Sequence, residues 1–492
     1  MVFSSVIFLC FFMPVMIAGY YILPQKLRNL FLVLGSLFFY AWGGPGYVFI
    51  MIASIVGNYT FGILLDLAGT RSEGTKRLVF GRLLLILSVI FNLGILFYFK
   101  YYTFVLTTIH DLFAPNLSVK EITLPIGISF YTFQGMSYVI DVYRGLGFTD
   151  ESKQKESLVQ KNPLNLALYI SMFPQLIAGP IVRYTDIKPY LAKRELNTEK
   201  FVKGAERFIV GLAKKAILAN TIGECADRIF TSDYSYMGVP VAWLGAVLYT
   251  FQIYYDFSGY SDMAIGLGRI FGFEFMENFN YPYISRSISE FWRRWHISLS
   301  SWFRDYVYIP LGGNRKGNVY LNLFIVFLLT GIWHGAAYGF IIWGIWHGLF
   351  ILVERAFRKN QIRIKLPEAV KWLYTMLVVM LGWVLFKLED ISKTLEYIKA
   401  MFGMDGESYT EFSLRYYLDN KMIFILIVAV LAAIPWAQVL PRHAAAFIAS
   451  LSMEEGIGAK VIIKRILLLM LLAVSFMFIV NSSYNPFIYF RF

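Results

Sequence analysis

The chain has 492 residues, of which 58% are hydrophobic, 18% aromatic and only 16% charged. Because a soluble protein of this size needs far more polar surface, the composition excludes a water-soluble protein and indicates a membrane protein. The formal net charge of +13 comes from Lys and Arg in loops between apolar segments, a distribution that reflects membrane topology and argues against nucleic-acid binding.

Apolar segments of membrane-spanning length recur along the whole sequence. One membrane helix needs about 20 mainly apolar residues. The pattern predicts apolar segments at 3–23, 29–42, 47–68, 80–99, 122–142, 163–182, 241–268, 320–333, 336–353, 372–388, 421–440 and 464–481. We therefore expect an all-α integral membrane protein that forms one polytopic domain over residues 1–492, with about 11–12 membrane helices plus re-entrant or short amphipathic helices.

Proline and glycine interrupt two of these segments. Pro125 and Gly127 lie in the fifth segment, and Pro174, Gly179 and Pro180 lie in the sixth. Interrupted helices at membrane depth are tolerated only where protein or a water-filled cavity surrounds them. The pattern therefore indicates a cavity near these two segments.

Basic residues are distributed unequally among the first loops. Lys26 and Arg28 follow the first segment and the loop 69–82 carries four basic residues, whereas the link 43–46 carries none. Loops rich in Lys and Arg lie on the cytoplasmic side of a membrane. We therefore predict a multi-pass protein of the cell membrane with its N-terminus outside.

Three of the five histidines each follow a tryptophan: His296, His334 and His347. His334 in LLTGIWHGAAYGF and His347 in IIWGIWHGLF lie in strongly apolar sequence, where an ionisable side chain is a functional candidate because its burial is costly. One apolar run ends at His334, so we expect its ring at the end of a helix. A buried imidazole stays neutral, which is the form that a general base needs.

A zinc site built from the three histidines is the alternative. Such a site requires the three rings to converge, but the sequence has no HExxH-like spacing and no carboxylate at helical distance from these histidines. The two cysteines, Cys10 and Cys225, have no metal-binding spacing, and no GxSxG motif is present. We therefore predict neither a bound metal nor a Ser-His-Asp nucleophile.

Acidic residues are rare in the apolar segments. Asp256 and Asp262 lie in TFQIYYDFSGYSDMAIG, close to Tyr260. Two interpretations stay open: these carboxylates pair with a buried arginine such as Arg269 or Arg144, or they act directly, as proton-relay carboxylates do in transporters.

Two polar stretches, 183–207 and 286–316, are rich in Lys and Arg. Such charge is common on the cytoplasmic surface of a helical bundle, and the alternative is a docking face for an anionic donor.

Several long motifs follow one another along the chain: LPIGISFYTFQGMSYVIDVYRG, FPQLIAGPIVRY, YYDFSGYSDMAIGLGRIFGFEFMENFNYPY, SEFWRRWHISLSSWFRDYVYIPLGGNR, GIWHGAAYGFIIWGIWHG and the terminal NPFIYFRF. Together and in this order they resemble the alginate O-acetyltransferase branch of the membrane-bound O-acyltransferase (MBOAT) superfamily. The resemblance covers nearly the whole chain.

The resemblance implies a many-helix membrane fold with a central cavity that is reached from each side. It also implies that His334 is the superfamily's histidine and that His296 marks a second polar site. The stretch that contains Trp292, Arg293 and Arg304 resembles the family's re-entrant segment, which lies beneath the cavity. From the same motifs we expect Trp333, His347, Asp256 and Tyr260 to join these three in binding substrate.

The activity expected from this resemblance is O-acetylation of an extracellular or cell-wall polysaccharide. An acyl thioester, acetyl-CoA or another, would enter from the cytoplasm, with no cofactor bound permanently. His334 would act as general base, while His296 or nearby donors stabilise the oxyanion. Extracytoplasmic acetyltransferase partners would complete the transfer. Three alternatives remain: D-alanyl transfer to teichoic acid, a non-enzymatic transporter or channel, and a scaffold.

Overall fold

The computed structural model describes residues 1–71, 74–148, 157–362, 365–404, 412–439 and 459–488. Within these ranges the regular elements are helices and no strand occurs, which confirms the predicted all-α class. Residues 72–73 of the predicted cytoplasmic loop, residue 440 of the predicted segment 421–440, and the last four residues of the terminal motif lie outside the described residues.

The α-helices of the first part of the chain are short to medium in length, apart from two long ones. They are α1 Met13–Ile22, α2 Gln25–Ala41, α3 Tyr47–Arg71, α4 Gly74–Leu96, α5 Tyr102–Leu112, α6 Ile128–Gly145, α7 Pro163–Ser171, α8 Phe173–Leu176, α9 Tyr184–Ala192 and α10 Thr198–Ala213. Short π-helical turns precede α1 (Phe8–Phe12) and join α4 to α5 (Phe97–Tyr101).

The remaining helices include the longest one, α12. They are α11 Asn220–Phe230, α12 Val239–Ile270, α13 Ile288–Arg294, α14 Ile297–Phe303, α15 Val319–His334, α16 Tyr338–Lys359, α17 Glu368–Leu388, α18 Ile391–Phe402, α19 Leu414–Tyr417, α20 Asn420–Ala432, α21 Trp436–Val439 and α22 Ala459–Asn481. π-helical turns occur at Lys214–Ala219 and Arg304–Tyr308, and 3-10 turns at Tyr234–Tyr236 and Pro282–Ile284.

Five helical segments of the described chain are long and apolar enough to cross a membrane. These are Tyr47–Thr70, Thr75–Leu112, Tyr338–Lys359, Glu368–Leu388 and Val461–Asn481, and Phe8–Ile22, Val319–His334 and Asn420–Ala432 are shorter apolar helices. The predicted segments 29–42, 122–142 and 241–268 are also mainly helical, in α2, in α6 from Ile128 onward and in α12, although these helices are not among the five. The multi-span helical fold is thus confirmed.

The interruptions predicted from proline and glycine are present. α6 begins only at Ile128, directly after Gly127, whose φ of +77° is a left-handed conformation that favours glycine. The predicted segment 163–182 breaks into α7, the single turn α8 and a buried non-helical stretch. Side chains satisfy the freed backbone groups there: Ser36 Oγ accepts from Phe173 N at 3.0 Å, and Tyr169 donates to Val182 O at 3.0 Å. Protein therefore surrounds this break.

Contacts between Cα atoms group the described chain into two compact units. The first comprises Met1–Ala205 and Ala264–Met276, and the second comprises Glu206–Met263 and Glu277–Ile488. The single domain expected over residues 1–492 stays a prediction. The second unit contains all three Trp-His pairs.

Two glycines bring α15 and α16 into backbone contact within the second unit. A Cβ added to Gly331 would lie 2.4 Å from Phe340 O, and one added to Gly344 would lie 2.5 Å from Phe327 O. Small residues at a helix crossing allow such an approach in membrane proteins. The crossing places the end of α15, with His334, beside the first turns of α16.

Candidate active site

The structure brings the three Trp-His pairs together. The rings of His296 and His334 lie 6.4 Å apart, and both contact Trp333, at 6.1 and 5.0 Å between ring centroids. Trp343 connects the third histidine, because its ring lies 5.0 Å from His334 and 5.1 Å from His347. The clustering expected from the sequence is therefore present, although among the described residues no group of three His, Cys, Asp or Glu side chains is placed to hold a metal ion.

His334 lies at the end of a helix, as predicted. α15 ends at this residue and Gly335 continues in an extended conformation, with φ of −169° and ψ of 162°. At the other end of α15, Asn318 caps the helix, since its side chain accepts from Tyr320 N at 3.0 Å. The sequence thus fixes both ends of the helix that carries the ring.

Aromatic side chains enclose the histidines. His334 is 2% exposed, and His296 and His347 are fully buried. Trp343 and Phe386 contact His334 edge to face, with ring centroids at 5.0 and 5.3 Å. A site walled by these rings excludes water, which strengthens the electrostatic interactions inside it.

His347 is buried without a hydrogen bond to either ring nitrogen among the described residues. It lies between Phe291, stacked at 6.3 Å, and Trp292, edge to face at 5.3 Å. Buried polar atoms normally have a partner, and each exception calls for an explanation. A substrate oxygen that enters between these rings would supply the partner of His347.

Asn278 fixes the orientation of His296. Asn278 Oδ1 lies 3.1 Å from His296 Nδ1 and accepts from the backbone N–H of Ser298 at 3.2 Å. The main-chain oxygen of Asn278 accepts from Ile297 N at 3.0 Å. These contacts hold His296 at a left-handed φ of 44°, an uncommon conformation for a residue other than glycine. Sequence reasoning missed Asn278, although it lies in the motif ENFNYPY.

The same contacts define the protonation state of His296. A backbone N–H can only donate, so the amide atom that faces Ser298 N is oxygen. His296 Nδ1 must then carry the hydrogen that it donates to that oxygen, which leaves the lone pair on Nε2. Burial lowers the pKa of His296, which lies outside the five candidate membrane-spanning segments, to about 3. A neutral ring in this form accepts a proton at Nε2, and the oxyanion-stabilising role, expected for His296 or for nearby donors, stays a prediction.

Two indole N–H groups are better placed for that role. Nε1 of Trp292 and Nε1 of Trp343 are buried and have no acceptor among the described residues. Indole nitrogen is a donor only, and buried tryptophans usually have an acceptor. Both rings contact His347, and that of Trp343 also contacts His334. These donors are available to the oxygen of a bound substrate.

Trp292, Arg293 and Arg304, predicted as one substrate-binding group, line a common cavity of about 260 Å³. Thr330, one helical turn before His334 on α15, also lines it. Arg304 pairs with its neighbour Asp305 at 2.7 Å, and hydrogen bonding to that carboxylate raises the pKa of the guanidinium. Arg293 is exposed, and no ion pair of Arg293 occurs among the described residues.

A carboxylate on α16 holds α13, the helix that carries Trp292 and Arg293. Glu354 accepts from Ile288 N at 2.6 Å, and from the backbone and hydroxyl of Ser289 at 3.0 and 2.6 Å. These amides belong to the first turn of α13, where a negative charge is stabilising. Sequence analysis did not single out Glu354.

Comparison with known proteins identifies the family. The model of the membrane-bound O-acyltransferase family, MBOAT, matches residues 60–388. The chain belongs to this family. It is 39% identical to "Probable alginate O-acetylase AlgI" of Pseudomonas putida over 510 aligned residues and to the protein of the same name from Pseudomonas aeruginosa over 544, with 100% of both chains covered in each case. It is 34% identical to "Peptidoglycan O-acetyltransferase" of Helicobacter pylori, with 100% of this chain and 98% of that one covered.

Family membership makes this chain an acyltransferase embedded in a membrane by several apolar helices. The family match covers His296, His334 and His347 together with Asn278. The rings and amide described above therefore lie within the part of the chain that defines the enzyme family.

Asp256 and Tyr260 of the MBOAT chain contact its C-terminal segment. Asp256 pairs with buried Lys215 at 2.6 Å and accepts from Ile488 N at 2.8 Å. Tyr260 stacks on Phe487 with ring centroids 4.5 Å apart. Part of the terminal motif NPFIYFRF is thus held by α12, and the role of both residues in substrate binding stays a prediction.

The carboxylates of α12 form ion pairs, as one of the two interpretations expected, but Arg269 is not their partner. Asp262 pairs with Arg207 and with Lys214, at 2.5 and 2.7 Å, whereas Arg269 pairs with Glu274. The partners of Asp262 lie in α10 and in the π-helical turn that follows it, not among the arginines nearest in the sequence.

Proposed function

We propose that this MBOAT protein takes an acetyl group from a cytosolic thioester, acetyl-CoA or another, and passes it across the cell membrane for O-acetylation of an extracellular or cell-wall polysaccharide. The observation that carries the proposal is the pair of buried imidazoles of His296 and His334, whose rings are 6.4 Å apart. The names of the relatives support the acetyl group and a cell-surface acceptor.

In the proposed reaction an acceptor hydroxyl attacks the thioester carbonyl. His334 Nε2 or Nδ1 takes the hydroxyl proton, a C–O bond forms, the C–S bond breaks, and the proton passes to the departing thiolate. His296, neutral with a lone pair on Nε2, offers a second acceptor for a proton in the same aromatic pocket. His347 and Trp333 complete the surface against which the substrate is positioned.

The oxyanion would receive hydrogen bonds from the indole N–H groups of Trp343 and Trp292. Removing one such donor typically lowers kcat about 100- to 1,000-fold. We therefore expect Trp343→Phe, which keeps the ring and removes the donor, to lower kcat about 100-fold and to leave KM nearly unchanged. Trp346→Phe on the same helix is the matched control, because its N–H already donates to Val378 O at 2.9 Å. Equal kcat values for Trp343→Phe and Trp346→Phe would exclude the indole N–H of Trp343 as a donor to the oxyanion.

The anionic part of the donor would lie at the cavity lined by Arg293 and Arg304. Arg293 is the stronger candidate, since its guanidinium is exposed and contacts only the backbone of Ser289, at 3.1 Å, in the described chain. Arg286 and Arg294 of the stretch 286–316 each pair with a carboxylate, Glu368 and Glu290 respectively. We therefore propose the docking role for Arg293.

The proposed topology has the N-terminus outside, so that the donor enters from the cytoplasm and the acceptor is reached from the opposite face. Extracytoplasmic acetyltransferase partners would then carry the group to the polymer. The complete pathway can be tested in cells that lack the chromosomal gene for this protein and carry a copy on a plasmid. Acetylated polysaccharide from these cells would support the pathway.

The decisive experiment uses the purified full chain in proteoliposomes. Acetyl-CoA labelled in the acetyl group is supplied at one face, and polysaccharide fragments at the other. Labelled ester on the fragments, or on an added surrogate alcohol when no partner is present, supports the proposal. Transfer only from a D-alanyl carrier thioester would support the teichoic-acid alternative instead, and solute flux without any ester would support a transporter.

A further inference from the structure

A larger cavity lies on another side of α13. Its volume is about 940 Å³, at the upper end of the range of about 300–1,000 Å³ for small-molecule sites. Its walls come from α12, α13, α17 and α20, all within the second unit. Nothing in the acyl-transfer proposal uses it.

The charged residues of this cavity gather at one end. Arg286 pairs with Glu368 at 2.6 Å, and Arg294 pairs with Glu290 at 3.0 Å. Each pair is partly exposed, with 57% and 55% of the first two side chains accessible. Exposed ion pairs contribute little stability, so both guanidinium groups and both carboxylates can exchange partners with a charged ligand.

The rest of the wall is apolar. On α17 it is formed by Leu373, Met376 and Met380, on α20 by Val430, and just after α20 by Ile434. The cavity follows α17 from Glu368 to Met380, which is about 18 Å of helix at 1.5 Å per residue. That length is close to half of the hydrocarbon thickness of about 30 Å.

The polar atoms of the wall are satisfied within the protein. Tyr283 donates its hydroxyl to Thr250 O at 2.6 Å, and Trp372 donates its indole N–H to Tyr283 O at 2.8 Å. Thr250 donates to Ala246 O at 2.7 Å. The wall therefore presents mainly carbon below its charged end, which does not suit the hydroxyl groups of a polysaccharide.

We infer that this cavity binds one zwitterionic membrane phospholipid, with its phosphate on Arg286 and Arg294, its ammonium on Glu290 and Glu368, and an acyl chain along Met376 and Met380. Two cations and two carboxylates match a headgroup that carries one charge of each sign. Arginine binds phosphate through paired N–H groups, and α17 is one of the candidate membrane-spanning helices. The charged end at the first residue of this helix therefore fits the headgroup level of a bilayer.

The test measures bound lipid and is independent of acyl transfer. The full chain is purified in mild detergent, and phosphatidylethanolamine and phosphatidylglycerol per chain are counted by mass spectrometry after size exclusion. We expect retained phosphatidylethanolamine in the wild type. Met376→Trp, which fills the cavity, and Arg286→Gln, which removes a headgroup contact, should each bind it about tenfold more weakly.

Two variants of the same helix serve as controls. Val370→Trp adds the same bulk at an exposed position outside the cavity lining, and Lys371→Gln removes a charge that also pairs with Glu368. Both should retain lipid as the wild type does. Equal retention in Met376→Trp and Val370→Trp would overturn the inference, and so would exclusive retention of phosphatidylglycerol. Adding phosphatidylethanolamine to delipidated protein should raise the Tm of the wild type and not that of Arg286→Gln.

Discussion

The His334→Ala protein should insert into membranes normally and lose acetyl transfer almost completely. A positioned general base contributes about 100- to 10,000-fold in rate, and this ring is the one in contact with Trp333, Trp343 and Phe386 at the end of α15. The initial rate of labelled acetyl transfer, measured per mole of purified monodisperse protein, gives the loss directly. Size exclusion and Tm separate a missing base from a misfolded chain.

His110→Ala is the matched control. His110 is partly exposed on α5, where it pairs with Asp111 at 2.8 Å. The same substitution there should leave the transfer rate within twofold of the wild type, since changes at exposed sites away from special contacts are usually within about 0.5 kcal/mol. A transfer rate of His334→Ala equal to that of His110→Ala would show that the buried ring is not the general base.

The features of the site that a local sequence pattern encodes were predictable. The end of α15 at His334 follows from the Trp-His-Gly tripeptide that closes an apolar run, and the break between α7 and α8 follows from Pro174. The grouping of His296, His334 and His347 was expected from their shared tryptophan context and from the family motifs. The two helix ends depend on residues only a few positions apart, whereas the grouping joins histidines up to 51 positions apart and was expected from their repeated motif.

The partners of the buried polar groups were not predictable, because they depend on how segments distant in the sequence pack together. Asn278 is 18 residues from His296, and Glu354 is 66 residues from Ile288. Lys215 reaches Asp256 from a π-helical turn that no apolar pattern indicates. Periodicity predicts which face of a helix is apolar, but not which residue of another helix faces a given carboxylate.

The tautomer of His296 was not predictable for the same reason. A histidine next to a reacting carbonyl can donate or accept a proton, and its sequence context is the same in both cases. The distance from Asn278 Oδ1 to Ser298 N decides the tautomer, because it fixes the position of the amide oxygen. In the proposed reaction the indole N–H groups of Trp343 and Trp292 are the donors instead.

Asn278→Asp should move the pH dependence of transfer without removing activity at high pH. In the wild type, burial keeps the pKa of His296 near 3, so this ring stays neutral throughout the usual assay range. A carboxylate in place of the amide, 3.1 Å from Nδ1, would favour the imidazolium and raise the pKa of His296 above its wild-type value. Since protonation removes the lone pair on Nε2, transfer by the variant should fall on acidification at a higher pH than in the wild type.

Two further variants separate positioning from a merely structural role. Asn278→Leu removes the acceptor of Nδ1–H, so it should lower kcat at every pH and leave the shape of the profile unchanged. Asn92→Asp buries a carboxylate in α4, where Asn92 pairs with Asn58 at 3.0 Å, and it should not shift the profile. If Asn278→Asp and Asn278→Leu gave profiles of the same shape, Asn278 would not set the protonation state of His296.

The same depressed pKa also affects stability. The unfolded chain binds a proton at His296 near its ordinary pKa of 6.5, whereas the folded chain binds it only near pH 3. Unfolding therefore takes up a proton between these values, and the contribution of this residue to stability is fully present above about pH 6.5 and decreases as the pH falls towards 3. Asn278→Asp raises the folded-state pKa of His296 towards its unfolded value. The decrease in Tm on acidification that comes from His296 should therefore be smaller in this variant than in the wild type. Asn278→Leu, which removes the amide without adding a charge, is the control.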